Sequence, residues 1–133
     1  MRIFWQIPTL IYPLIAYIVL ALTQGINLNQ ILFEIPLMSG GRFMLSVQDL
    51  LLALGIFFLT VEIIKATRSG NSSIIDHMFS MIVFVIYLLA FVMYAPCGTS
   101  SFLLLTLMAL ADVIAGFSVT ISSARRDFTM DRS

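Results

Sequence analysis

The stretch SFLLLTLMALADVIAGFSVTIS, residues 101–122, decides how this chain is read. Asp112 is its only charged residue, and as a helix rising roughly 1.5 Å per residue it is long enough to cross about 30 Å of bilayer hydrocarbon. Asp112 falls near the centre of the stretch, where an ionisable group is costly and marks a packing or functional role.

Three more apolar segments of similar length lie upstream: Ile3 to Thr23, Val47 to Ala66 and Ile74 to Ala95. The chain is 60% hydrophobic and 11% charged over 133 residues, with a mean hydropathy of +1.05. Soluble domains carry about 25% charged residues, so lipid is expected to cover much of this surface. The expectation is an all-α membrane protein: a four-transmembrane-helix bundle forming one integral membrane domain over 1–133. Its helices should cover about 3–23, 47–66, 74–95 and 101–122, with an external loop at 25–45 and a cytoplasmic tail at 124–133. The first segment has no small-x-small cleavage site near Thr23 and is read as a retained helix rather than a secretory signal. Pro13 falls inside that segment and predicts a kink there.

Charge placement orients the bundle. Arg2, Lys65, Arg68, Arg125, Arg126 and Arg132 fall on one side and Arg42 alone on the other. By the positive-inside rule the richer side is cytoplasmic, which puts both termini inside and argues against a dual-topology antiparallel dimer. Seven basic residues balance seven acidic ones, which removes the electrostatic footprint of a nucleic-acid binder. A single cysteine, Cys97, leaves no intrachain disulfide and no CxxC redox pair.

Helix starts are marked by serine-x-x-acid patterns at Ser46–Asp49 and Ser73–Asp76, in which hydroxyl and carboxylate satisfy free amides at a helix start. Pro96 and Gly98 stop the third segment, and Thr99, Ser100 and Ser101 are available to cap the fourth. Between the first two segments, ILFEIPL and RFML flank Met38-Ser39-Gly40-Gly41. That pattern suits a small external β-hairpin with a glycine turn, although Pro36 weakens the first strand and leaves an irregular interfacial loop as the alternative. A partner protein docking from outside would be sought here.

At the cytoplasmic boundary Glu62, Lys65, Arg68, Asp76, His77, Arg125, Arg126 and Asp127 should gather as a collar of ion pairs and snorkelling side chains. Glu62 and Lys65, three apart, are placed to pair on one helix. The lone histidine, His77, cannot build a multi-ligand metal site without help, and haem would need a dimer to supply two ligands, so no metal or cofactor is expected.

Around Asp112 the fourth segment carries small residues at helical spacing. Ala109, Asp112, Gly116, Thr120 and Ser123 form one stripe, and Ala111, Ala115, Ser118 and Ser122 a second, a pattern that lets helices approach closely in lipid. Counting rises from each end places no cation at the depth of Asp112. It makes Tyr87, Tyr12 and Tyr17 its nearest hydroxyl partners, with Thr60 deeper. Two function classes follow. Asp112 is an interhelical clasp in a structural, assembly or accessory subunit of a membrane complex, as a homo-oligomer or with other membrane-protein subunits. Alternatively it is a proton or cation site in a small channel or coupled carrier. The clasp is favoured, because a transport path shows several polar groups along its depth. No histidine–acid–nucleophile set or deep carboxylate pair supports an enzyme.

The stretches LLLALGIFFLTVEIIKATRSGNSSIIDH and LLLTLMALADVIAGFSVTISSARRDF resemble an uncharacterised family of small four-span inner-membrane proteins of proteobacteria. The likeness runs from Ser46 onward and rests on KATR, SxxDH, DVIAGF and ARRDF. It implies a bacterial inner-membrane location and carries no activity, though it points to Asp112 and the ARRD tail as places for a shared role.

Overall fold

The computed structural model describes residues 7–23, 27–67 and 72–130, apart from the side chains of 72, 73, 123 and 126–130. In chain order the elements are helix α1 (Ile11–Leu22), strands β1 (Ile31–Pro36) and β2 (Arg42–Ser46), helix α2 (Val47–Ala66), helix α3 (Ser72–Met93), a 3-10 turn (Ala95–Cys97) and helix α4 (Ser100–Met130). Three of the helices are long and apolar enough to cross a membrane, over Val47–Ala66, Ile74–Met93 and Ser100–Ser122. Their outward faces are apolar: Ile56, Phe57, Ile64, Ile82, Leu89 and Ile114 are all exposed, as lipid-facing residues would be.

The first helix departs from the expected 3–23. Its described part begins at Ile11 and has 12 residues, about 18 Å of rise, which is short of the hydrocarbon thickness. Pro13 lies in the first turn, where a missing N–H has no intrahelical partner to lose, so it starts the helix instead of kinking it. Upstream, Ile11 and Tyr12 donate their amides to the carbonyls of Pro8 and Thr9.

α2 matches its expected bounds because it carries its own start signal. Ser46 Oγ accepts from the Asp49 amide while the Asp49 carboxylate accepts from the Ser46 amide, a complete capping box. α3 is described from Ser72 onward, and the corresponding pattern at Ser73 and Asp76 falls on a side chain, Ser73, outside the described residues. α3 ends at Met93, two residues before the expected 95, and Pro96 sits within the 3-10 turn that follows. Thr99 caps α4 by accepting from the Phe102 amide. α4 then runs to Met130, well past the expected end at 122. Hydropathy falls at that point, but the residues that follow include no glycine or proline to break the helix.

The loop at 25–45 contains the hairpin. β1 and β2 pair antiparallel, with Phe33 opposite Leu45 and Ile35 opposite Phe43, and Gly40 takes the positive φ of 87° that the turn requires. Pro36 stands at the strand end, where its missing donor costs little.

α4 is the central helix and packs against both α2 and α3. Its apolar stretch is 39% buried, against 22% for each of the other two. The core is aromatic near the start of α4: Phe102 is fully buried between Tyr17 and Tyr87, with ring centroids 5.0 and 5.5 Å away. Gly55 sets one helix approach, since a Cβ there would fall 2.6 Å from Leu105 and 2.8 Å from Met108.

Candidate functional site

Away from the hairpin, α2, α3 and α4 converge on a buried polar cluster. A cavity of about 10 Å³ is lined by Glu62, Lys65 and Ala66 of α2, Asp76 and His77 of α3, and Asp112 of α4. The space is that of roughly one water molecule.

Each member is placed by its helix. Glu62 and Lys65 are one turn apart and form an ion pair of 3.2 Å that is almost wholly removed from solvent. Glu62 Oε1 also accepts from the amide and the hydroxyl of Thr9, both at 2.7 Å, which ties the chain just before α1 to α2. Lys65 Nζ donates to the carbonyl of Ile7 at 3.3 Å. The four residues from Ile7 to Leu10 are thus strapped to the cluster by a charged pair with several partners, the arrangement a buried ion pair needs.

Across the cavity the polar groups are less well matched. Asp112 is 5% exposed and lies within electrostatic reach of Glu62 and Lys65, while the nearby Ser80 hydroxyl donates to the Asp76 carbonyl of its own helix at 3.1 Å. His77 is 8% exposed and its ring packs against Gly116, where a Cβ would fall 2.5 Å from Nδ1. His77 Nε2 and Asp76 Oδ1 are buried without a hydrogen-bond partner. Three carboxylates therefore face one ammonium and one imidazole, with two polar atoms unsatisfied, in a space that fits one small donor or acceptor.

The expectation that no cation reaches Asp112 is overturned: Lys65 and His77 line the same cavity. Helix register is the reason. Gly55 meets Leu105 and Met108 while Gly116 meets His77, which slides Asp112 toward the level of Glu62 instead of the bundle centre. The hydroxyls expected near Asp112 are engaged elsewhere. Tyr87 donates to the Leu10 carbonyl at 2.7 Å, Tyr17 bonds Thr99, and Thr60 donates to Ile56 of its own helix. Tyr12 packs on Phe58 and is 42% exposed. The hydroxyl that does lie near Asp112 is that of Ser80, on the face of α3 where Asp76, Ser80, Val83 and Tyr87 recur.

Of the expected collar, Glu62, Lys65, Asp76 and His77 come together. Arg125 is exposed further along α4. Arg68 and the side chains of Arg126, Asp127 and Ser73 lie outside the described residues. The stripe Ala109, Asp112, Gly116 packs inward as expected, whereas Ala111, Ser118 and Ser122 of the second stripe are exposed. Among the described residues no group of three or more His, Cys, Asp or Glu is arranged to hold a metal ion.

At the hairpin end an open pocket of about 290 Å³ is lined in part by Thr23, Asn27, Asn29, Gln48 and Thr99. Between it and the cluster lie Leu14, Leu51, Phe102 and Leu105, all at most 4% exposed.

Fold and site together define a helical membrane protein whose three span-length helices enclose a buried ionisable cluster. No protein-family model, curated protein or solved structure matches the chain.

Proposed function

We propose that the chain is a multi-pass inner-membrane protein with a structural role, as an assembly or accessory subunit of a membrane complex or homo-oligomer. The cluster around Asp112 is its interhelical clasp. In this reading 3–23 provides a fourth span, both termini are cytoplasmic, and the cluster lies toward the cytoplasmic side. The basic residues that flank the spans at that end and the resemblance to a four-span inner-membrane family support it.

The observation that carries the reading is the apolar layer of Leu14, Leu51, Phe102 and Leu105 between the cluster and the hairpin-end pocket. A conducting path needs polar groups or water along its depth. A clasp needs only a local set of polar groups joining helices, and here Glu62, His77 and Asp112 come from three different helices while Thr9 ties in the chain just before α1.

One observation favours a second reading, a proton- or cation-coupled carrier. Five ionisable side chains surround one cavity, and His77 Nε2 and Asp76 Oδ1 are unpartnered. Purification of the native protein and Asp112→Asn in mild detergent, followed by proton-flux measurements in liposomes, separates the two. Stoichiometric partners with no flux from either protein support the clasp. A native flux that Asp112→Asn abolishes without changing assembly overturns it in favour of the carrier. Labelling of a cysteine reporter at Ser133 from outside intact cells would overturn the topology.

A further inference from the structure

The hairpin is an amphipathic ribbon that no described part of the chain covers. Its register puts Phe33, Ile35, Phe43 and Leu45 on one face and Glu34, Met44 and Arg42 on the other, where Glu34 and Arg42 form an ion pair of 2.9 Å. Phe33, Ile35 and Phe43 are 44–49% exposed, Leu37 is half exposed, and Met38 at the turn is wholly so. A lone two-stranded hairpin is marginal in water, so its apolar face needs a cover.

We infer that this face rests in the headgroup layer of the bilayer at the end where α2 begins, with lipid as its cover. The first reason is continuity. Ser46 is both the last residue of β2 and the cap of α2, so no linker separates ribbon from span. The base is held down further where the Val47 and Gln48 amides donate to the carbonyls of Gln30 and Leu28.

The second reason is anchorage. The spans already hold the chain in the membrane, so lipid covers Phe33, Ile35, Leu37 and Phe43 without the area of surface that a stable protein interface has to bury. The third is charge: Glu34 and Arg42 neutralise one another on the opposite face, which leaves no net charge to recruit a charged partner and gives that face a polar side for water. Depth follows from the backbone. The outer edges of a two-stranded ribbon carry unpaired N–H and C=O groups, which headgroups and water satisfy and hydrocarbon does not.

This inference rests on the membrane location of α2, so the test carries a control for it. Phe43→Trp, Ile35→Trp and Met44→Trp are each made in a Trp5→Phe background, which removes the only native tryptophan. They are reconstituted in phosphatidylcholine vesicles brominated either near the headgroup or deep in the acyl chains. Phe57→Trp, on the exposed apolar face of α2, serves as the control. Shallow bromines should quench Phe43→Trp and Ile35→Trp about twofold more than Met44→Trp, and more than deep bromines do. Phe57→Trp should respond most to the deep ones. Full access of aqueous acrylamide to Phe43→Trp and Ile35→Trp without bromolipid quenching would overturn the inference. So would shielding from both quenchers, which would mean that protein covers the ribbon. Loss of bromolipid quenching at Phe57→Trp as well would instead sink the membrane reading. Ile35→Trp keeps the test open if Phe43→Trp fails to fold, since both lie on one face.

Discussion

The two ends of the bundle handle polar groups in opposite ways. At the hairpin end they are satisfied in pairs: Ser46 with Asp49, Tyr17 with Thr99, Ser101 with Gln48 at 2.7 Å, and Glu34 with Arg42. At the other end, five ionisable side chains of three helices meet around one cavity, and Asp76 Oδ1 and His77 Nε2 stay unpaired. Satisfied pairs hold elements in place. Buried groups left unpaired cost stability, so the cluster holds its helices with less margin than the satisfied pairs do. A single change there is therefore expected to cost more than one at the hairpin end.

The largest break in this contrast should come from Glu62→Ala. It strands Lys65 and the Thr9 amide in a buried setting and should cost about 3–5 kcal/mol, read from reversible unfolding in bicelles or detergent. Glu62→Ala combined with Lys65→Met should recover much of the loss, because the uncompensated charge is gone; equal stability of the single and double variants would show that the pair is not a coupled unit. Next is Gly116→Val, which drives a side chain into the His77 ring and should cost about 1–3 kcal/mol. His77→Ala should relieve that clash, so the double variant should lose less than the two singles together. At the hairpin end the effects shrink. Ser46→Ala removes the capping box and should lower stability by about 1 kcal/mol. Arg42→Ala removes a surface ion pair and should cost less than about 1 kcal/mol, with the difference fading at high salt. A hairpin-end variant as damaging as Glu62→Ala would abolish the distinction between the ends.

The parts of the fold that were legible are those with local causes. Val47–Ala66 carries its cap in Ser46 and Asp49, the glycine turn with its flanking apolar runs marks β1 and β2, and Glu62 with Lys65 follows from helical spacing. Errors arose where hydropathy stood in for structure. The run from Ile3 to Thr23 is predominantly apolar, yet its described helix begins only at Ile11, after Pro8. The span expected at 101–122 does match the apolar stretch Ser100–Ser122, but α4 continues through Arg125 to Met130, because a fall in hydropathy marks where lipid ends and a helix ends only where its backbone bonds are broken.

By itself, then, the sequence determined the span-length apolar helices, the hairpin between the first two apolar segments, and the presence of one acid deep in the last helix, since composition, capping and periodicity act over neighbouring residues. Only the tertiary structure decided the company Asp112 keeps. Its depth relative to Glu62, Lys65, Asp76 and His77 depends on how far the helices slide past one another, and that register is set by close packing at Gly55 and Gly116, contacts between residues that no local pattern brings together.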